Sequence, residues 1–223
     1  IQGMTGGDIE NDNANIWLLD LAGQSWSPVS NITTQTLSAG QGFLAYVFQD
    51  CDNDGDNDLP IDLFVSGNHN QSTVTISSIP QNSYYLAGNP YTKTLDWDNI
   101  SKTNLSAVIS VWDDASSDWK TYNGTSGDLT NGLIAPFQGF WIQALGGVGS
   151  MTIQTDDIAT SSTLFIRNIN RQNNFISVSV FNENKFDNIY FTFDSTSSEG
   201  YDAKDAIKLV PLSKSARVAA MII

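Results

Sequence analysis

The chain has 223 residues, enough for one large β domain or two modest ones, and with 40% hydrophobic and 11% aromatic residues it can bury a real core. A formal net charge of -14, from 24 acidic and 10 basic residues, repels phosphate backbones and anionic membrane surfaces, which excludes nucleic acid as a natural partner. A single cysteine, Cys51, rules out an intrachain disulfide, and no apolar run approaches the ~20 residues of a membrane-spanning helix.

In chain order, alternation and turn residues outweigh helical periodicity, so the expected class is all-β and antiparallel. Residues 15–20 read as a strand, Ala22-Gly23-Gln24 as a turn and 26–29 as the return strand of a hairpin. Residues 42–48, 61–65 and 73–77 read as further strands. Tyr84-Tyr85-Leu86-Ala87 is strand-like and runs into an Asn89-Pro90 turn. Residues 95–100 suggest one helical turn, then 108–112, 119–122, 139–144 and 151–154 resume the strand pattern.

The pattern occurs twice. Gly40-Gln41-Gly42-Phe43-Leu44-Ala45 is echoed by Phe137-Gln138-Gly139-Phe140-Trp141-Ile142, and each is preceded by a pair of tryptophans, Trp17 and Trp26 before the first, Trp112 and Trp119 before the second. Two copies of one β unit predict a pseudo-duplicated antiparallel β-sandwich over residues 1–160. The Thr/Ser cluster near 158–162 marks a boundary, and residues 161–223 are expected to begin a second β-sandwich module. There Ile176, Val178 and Val180 alternate with Ser177 and Ser179, and Ile189, Phe191 and Phe193 repeat the pattern. The strands after the boundary are few for a whole sandwich, so the module is expected to be incomplete at its C-terminal end and to be paired by something else, another domain of a longer polypeptide or a copy of the chain itself.

One motif carries chemistry. In Asp50-Cys51-Asp52-Asn53-Asp54-Gly55-Asp56-Asn57-Asp58, oxygen ligands alternate around a Gly that permits a sharp turn. Calcium takes about six to eight hard oxygens, and carboxylates at alternate positions of such a loop converge on one ion. Asp50, Asp52 and Asp54 are the expected carboxylate ligands, Asp56 the backbone-carbonyl ligand, and Asp58 a direct or water-mediated one. Position twelve is Ile61, where an EF-hand carries Glu, so the expectation is a calcium-loop hairpin between strands. Without a cation, the alternative is a solvated acidic turn.

Other candidates are weaker. His69 is the only histidine and reads as a turn residue. Asp113 and Asp114 are neighbours on a strand and point to opposite faces, which is the wrong arrangement for a pair of glycosidase acids. Trp97 and Trp141 are the candidates for stacking on sugars, with core packing as the alternative.

An ordered set of segments, Tyr85-Leu86-Ala87-Gly88-Asn89-Pro90-Tyr91, Leu95-Asp96-Trp97, Val111-Trp112-Asp113, Thr121-Tyr122-Asn123-Gly124 and Ala135-Pro136-Phe137-Gln138-Gly139-Phe140-Trp141-Ile142-Gln143-Ala144, followed by Gly200-Tyr201-Asp202-Ala203-Lys204-Asp205-Ala206-Ile207, resembles the region upstream of the sorting domain in large secreted proteins of Bacteroidota-type bacteria exported by type IX secretion. The resemblance implies an extracellular or cell-surface location, a β-sandwich fold and no catalytic activity of its own. It also draws attention to Asp194-Ser195-Thr196, which matches the pattern of O-glycosylation in these bacteria and makes Ser195 a candidate acceptor. The function expected on these grounds is a calcium-stabilised structural or adhesion module that assembles with other surface proteins. A carbohydrate-binding module is the second expectation.

Overall fold

The computed structural model describes residues 14–29, 34–46, 54–57, 67–113 and 118–163, together with the backbone of 175–182 and 185–192. The fold is all-β, and every strand pairing described is antiparallel.

The first hairpin joins β1 (Ile16–Asp20) to β2 (Ser25–Pro28), and β3 (Leu44–Ala45) pairs with the other edge of β1. Register places Trp17 opposite Pro28 and Leu19 opposite Trp26, so both tryptophans share one face of this sheet. The second copy uses β8 (Ile109–Asp113), β9 (Asp118–Tyr122) and β11 (Gly139–Gln143), with β5 (Tyr84–Gly88) added beyond β11. The strand order β2-β1-β3 of the first copy therefore reappears as β9-β8-β11 in the second.

Behind this larger sheet lies a second one, β4 (Val74–Ile79), β12 (Gly149–Ile153) and β7 (Ser101–Thr103), in the order β4-β12-β7. The core fills the space between them. Ala87, Ile109, Val111, Phe140 and Ile142 come from one sheet and Val74, Ile76, Ile79, Met151 and Ile153 from the other. Alternation along β11 explains the selection: Phe140 and Ile142 point inward, while Trp141 points to the opposite face.

Residues 95–100 are not a helical turn. They form the short strand β6 (Leu95–Asp96), paired with β10 (Leu133–Ile134), and then a tight turn in which Asn99 N–H donates to the Asp96 carbonyl and Ile100 N–H to that of Trp97. Leu95 and Trp97 are both buried with Asp96 between them, a two-residue alternation that favours extended chain over helix here.

The chain remains attached to this sandwich through residue 163. Leu95 bridges Ile158, Ala159 N–H donates to the Thr94 carbonyl, and Thr163 N–H donates to Thr94 Oγ1 at 3.0 Å. Farther on, β13 (Phe175–Asn182) and β14 (Lys185–Thr192) form the hairpin that the alternation at 176–180 and 189–191 predicts.

Candidate functional site

The repeated Gln-Gly-Phe segments build the same device twice. In the second copy, Pro136 and Phe137 occupy the middle of a turn closed by Gln138 N–H to the Ala135 carbonyl at 3.1 Å, and the Gln138 side chain returns to accept from Ala135 N–H at 3.2 Å. In the first copy, Gln41 N–H donates to the Ser38 carbonyl at 3.0 Å, and Gln41 Oε1 accepts from Ser38 N–H at 3.3 Å. The third turn position needs positive φ, and it is Gly40 (φ 81) in one copy and Phe137 (φ 58) in the other. The two strands that leave these turns flank β5. Gly139 pairs with Gly88 on one side, and on the other Gly88 N–H donates to the Gly40 carbonyl while Gly42 N–H donates to that of Leu86.

Residues 40–45 thus belong to both halves: their beginning pairs with β5 and their end with β1. The unpaired remainder of the β5 edge is closed by a side chain. Gln24, in the first hairpin turn, accepts from Tyr84 N–H through Oε1 at 2.7 Å and donates through Nε2 to the Tyr84 carbonyl at 3.1 Å. One amide side chain imitates a strand neighbour.

Between the two copies lies an aromatic cluster. Trp26 meets Trp141 edge-on, with centroids 5.7 Å apart, and Trp141 makes similar contacts with Tyr84 and Trp119, both at 6.4 Å. Trp112 and Trp119 are cross-strand partners, 5.1 Å apart. Such edge-to-face pairs contribute about 0.5–1.5 kcal/mol each beyond the area they bury. One member of each repeated pair, Trp26 in the first copy and Trp119 in the second, packs on Trp141, where the copies meet. The main core, with Phe140, Trp97 and the aliphatic side chains of both sheets, lies on the other side of the larger sheet.

Of the two candidate sugar-stacking residues, Trp97 does not face solvent. It is 1% exposed. Its indole N–H donates to the Ala107 carbonyl at 2.7 Å, Phe140 packs against it edge-on, and Lys102 Nζ sits 4.3 Å from its ring centroid. The aromatic ring and its polar atom are both consumed by the fold. Trp141 is half-buried, with its ring engaged by Trp26, Tyr84 and Trp119.

Within the Asp-rich loop, residues 54–57 are described. Gly55 adopts φ 96, a conformation that favours glycine and turns the chain sharply, and Asp56 N–H donates to Asp54 Oδ1 at 3.1 Å. Asp54 and Asp56 are exposed. Asp50, Asp52 and Asp58 lie outside the described residues, as does Ser195. Among the described residues, no group of three or more His, Cys, Asp or Glu side chains is arranged to hold a metal. His69 is exposed, with Nε2 2.6 Å from Gln71 Nε2.

Two polar arrangements escaped the sequence reading. Asn89, buried after β5, donates through Nδ2 to the carbonyls of Lys93, Ile134 and Ala135 and accepts from Tyr91 N–H, so it ties its own turn at 91–93 to the backbone at 134–135. The Gly88-Asn89-Pro90 string signalled a turn but not this burial. The second is a charged cluster at the end of β8 and β9, where buried Lys120 lies 4.0 Å from Asp113 Oδ2 and 3.9 Å from Asp128 Oδ2. Asp118 is cross-strand partner to Asp113 and is also buried. Burial raises the Asp128 carboxyl above its ordinary range, against the lowering pull of Thr121 N–H and Lys120.

Compared with protein-family models, with curated proteins and with solved structures, the chain matches none. No helix among the described residues is long and apolar enough to cross a membrane.

Proposed function

We propose that this chain is a non-catalytic structural and adhesion module of a secreted or cell-surface bacterial protein, stabilised by calcium at the Asp50–Asp58 loop. The observation that carries this reading is the joint between the two β copies. Gln24 completes the backbone pairing of Tyr84, and Trp26 seats on Trp141, so the side chains most suited to recognition are spent on holding β units to one another. A chain that joins its own units edge to edge and face to face has the construction of a scaffold that other domains extend. Extracellular calcium then supplies the countercharge that five aspartates in nine residues demand, and the positive φ of Gly55 supports that role for the loop.

The test is thermal unfolding with calcium and with a chelator. Binding to the folded state alone stabilises by RT ln(1 + [L]/Kd), about 2.7 kcal/mol at a hundredfold excess over Kd. A rise of several degrees that disappears in Asp52→Ala and Asp54→Ala supports the reading. An unchanged melting temperature reduces the loop to a solvated acidic turn and removes calcium from the proposal.

The carbohydrate-binding alternative rests on Trp141 alone, half-buried beside half-buried Trp112 and Trp26. It predicts quenching of tryptophan fluorescence by polysaccharides that is abolished in Trp141→Phe. Fluorescence unmoved across a broad glycan panel removes it.

A further inference from the structure

The cluster around Lys120 has more chemistry than a scaffold needs. Lys120 is 4% exposed and Asp128 8%, and the two come together because of the backbone between them. Tyr122 bridges Gly127, and Leu129 N–H donates to the Thr121 carbonyl, so the loop returns along β9. At Gly127 (φ 147), a Cβ would stand 2.1 Å from the Thr121 carbonyl oxygen, so only glycine lets the loop close this tightly. Asp128 is thereby delivered to Lys120, with its Oδ1 accepting from Thr121 N–H at 2.6 Å.

Lys120 Nζ does not close to hydrogen-bond distance on either of these carboxylate oxygens. Charge-assisted N–H···O contacts settle at about 2.7–2.9 Å, yet Lys120 Nζ stands 3.9 Å from Asp128 Oδ2 and 4.0 Å from Asp113 Oδ2. Asp128 Oδ2 is buried with no hydrogen-bond partner among the described residues. A buried carboxylate with one oxygen polarised and the other bare, beside a buried amine, is costly as a salt bridge and well set for acyl transfer.

We propose that Lys120 and Asp128 condense into an intramolecular amide, a covalent cross-link made by the fold itself. Asp113 takes one proton from the Lys120 ammonium and passes it to Asp128 Oδ2, which sets a neutral amine beside a neutral acid. The amine attacks Asp128 Cγ, and the charge that develops on Oδ1 is held by Thr121 N–H, in the manner of an oxyanion hole. A second proton passes from Nζ to Oδ2, and the Cγ–Oδ2 bond breaks to release water. The third ammonium hydrogen stays on the amide nitrogen, Asp113 ends as it began, and no oxidant, nucleotide or other reactant is consumed. Burial favours condensation over hydrolysis by excluding the water that would reverse it. The rise in the Asp128 carboxyl pKa with burial agrees, because the neutral acid is the better acceptor of a nucleophile.

The experiment is intact-mass measurement on the whole chain, folded and then denatured, with a tryptic map. The expected result is a mass lower than the sequence mass by one water, no cleavage after Lys120, and a branched peptide linking Lys120 to Asp128. Lys120→Arg and Asp128→Ala restore the full mass. Asp113→Asn, which leaves both joined residues in place, slows or abolishes the water loss. Full mass in the wild-type chain with tryptic cleavage after Lys120 overturns the proposal, whatever the variants do. So does a water loss that maps to a succinimide at Asp54-Gly55, which hydroxylamine cleaves and mild base hydrolyses back to the full mass.

Discussion

The side-chain amide of Gln24 pairs with both backbone polar groups of Tyr84, sixty residues away, and in doing so stands in for a missing strand residue at the edge of β5. Gln24 itself sits at φ 48 in the hairpin turn and is exposed, so its contribution comes through these bonds and not through burial. Gln24→Ala is expected to cost about 1–2 kcal/mol, the value of two hydrogen bonds that water can partly replace. In hydrogen exchange, the Tyr84 amide is expected to lose protection before its neighbours in β5 do.

The two equivalent turns make opposite predictions. Phe137 holds φ 58 with a bulky side chain that is 52% exposed, so it carries strain without compensating burial. Phe137→Gly is expected to raise stability by about 1 kcal/mol, since a type II turn favours glycine there. Gly40→Ala is expected to lower it by more than that, because a Cβ would stand 2.8 Å from Val74 Cγ1 as well as adopt φ 81. Chemical denaturation of the two single variants checks both signs.

Phe43 and Phe140 are matched by the internal repeat and differ in what surrounds them. Phe140 is 0% exposed in the core and Phe43 is 45% exposed. Phe140→Ala is expected to cost about 3–5 kcal/mol, and Phe43→Ala less than about 1 kcal/mol. Equal losses in urea titrations would mean that the repeat is energetically symmetric.

Asp157 offers a pH test. It is buried, and its Oδ2 accepts from Gln154 N–H at 2.7 Å. Burial outweighs that bond and raises the carboxyl above its unfolded value. A raised acid contributes stability that is full below the unfolded pKa, near 3.8, and is lost as pH rises through the folded one. Asp157→Asn keeps an acceptor for Gln154 and removes the titration. The variant is therefore expected to gain melting temperature relative to the wild type as pH goes from 4 to 7.

Much of this architecture is written in local alternation. The strands at 16–20, 74–79, 109–113, 118–122, 139–143 and 175–182 follow from it, and the twice-occurring Gln-Gly-Phe string foretells a shared strand order. What alternation cannot convey is which face of a two-sided apolar strand meets which neighbour. Trp97 looked as suited to a surface as Trp141. Its placement depends on the Ala107 carbonyl and on Lys102, neither of which has a visible link to it in sequence. Gln24, Asn89 and Lys120 were missed for a related reason. Each is a common polar residue whose partners lie across the fold, or around a loop that only Gly127 permits, and spacing along the chain carries no trace of either. The aspartate loop is the reverse case, since its ligand pattern is legible in nine consecutive residues.

The shared segment 40–45 has a consequence for how the molecule can be divided. β5 obtains its outer neighbour from residues 40–42 and from Gln24, all of them contributed by the first copy. A fragment beginning at residue 67 would keep both sheets of the sandwich and its aliphatic core, yet it would present the N–H and C=O groups of Tyr84, Leu86 and Gly88 as a bare template. Such a fragment would recruit a strand from its neighbours, so excising the second copy would turn an edge that residues 24 and 40–42 cover into the growing end of a filament.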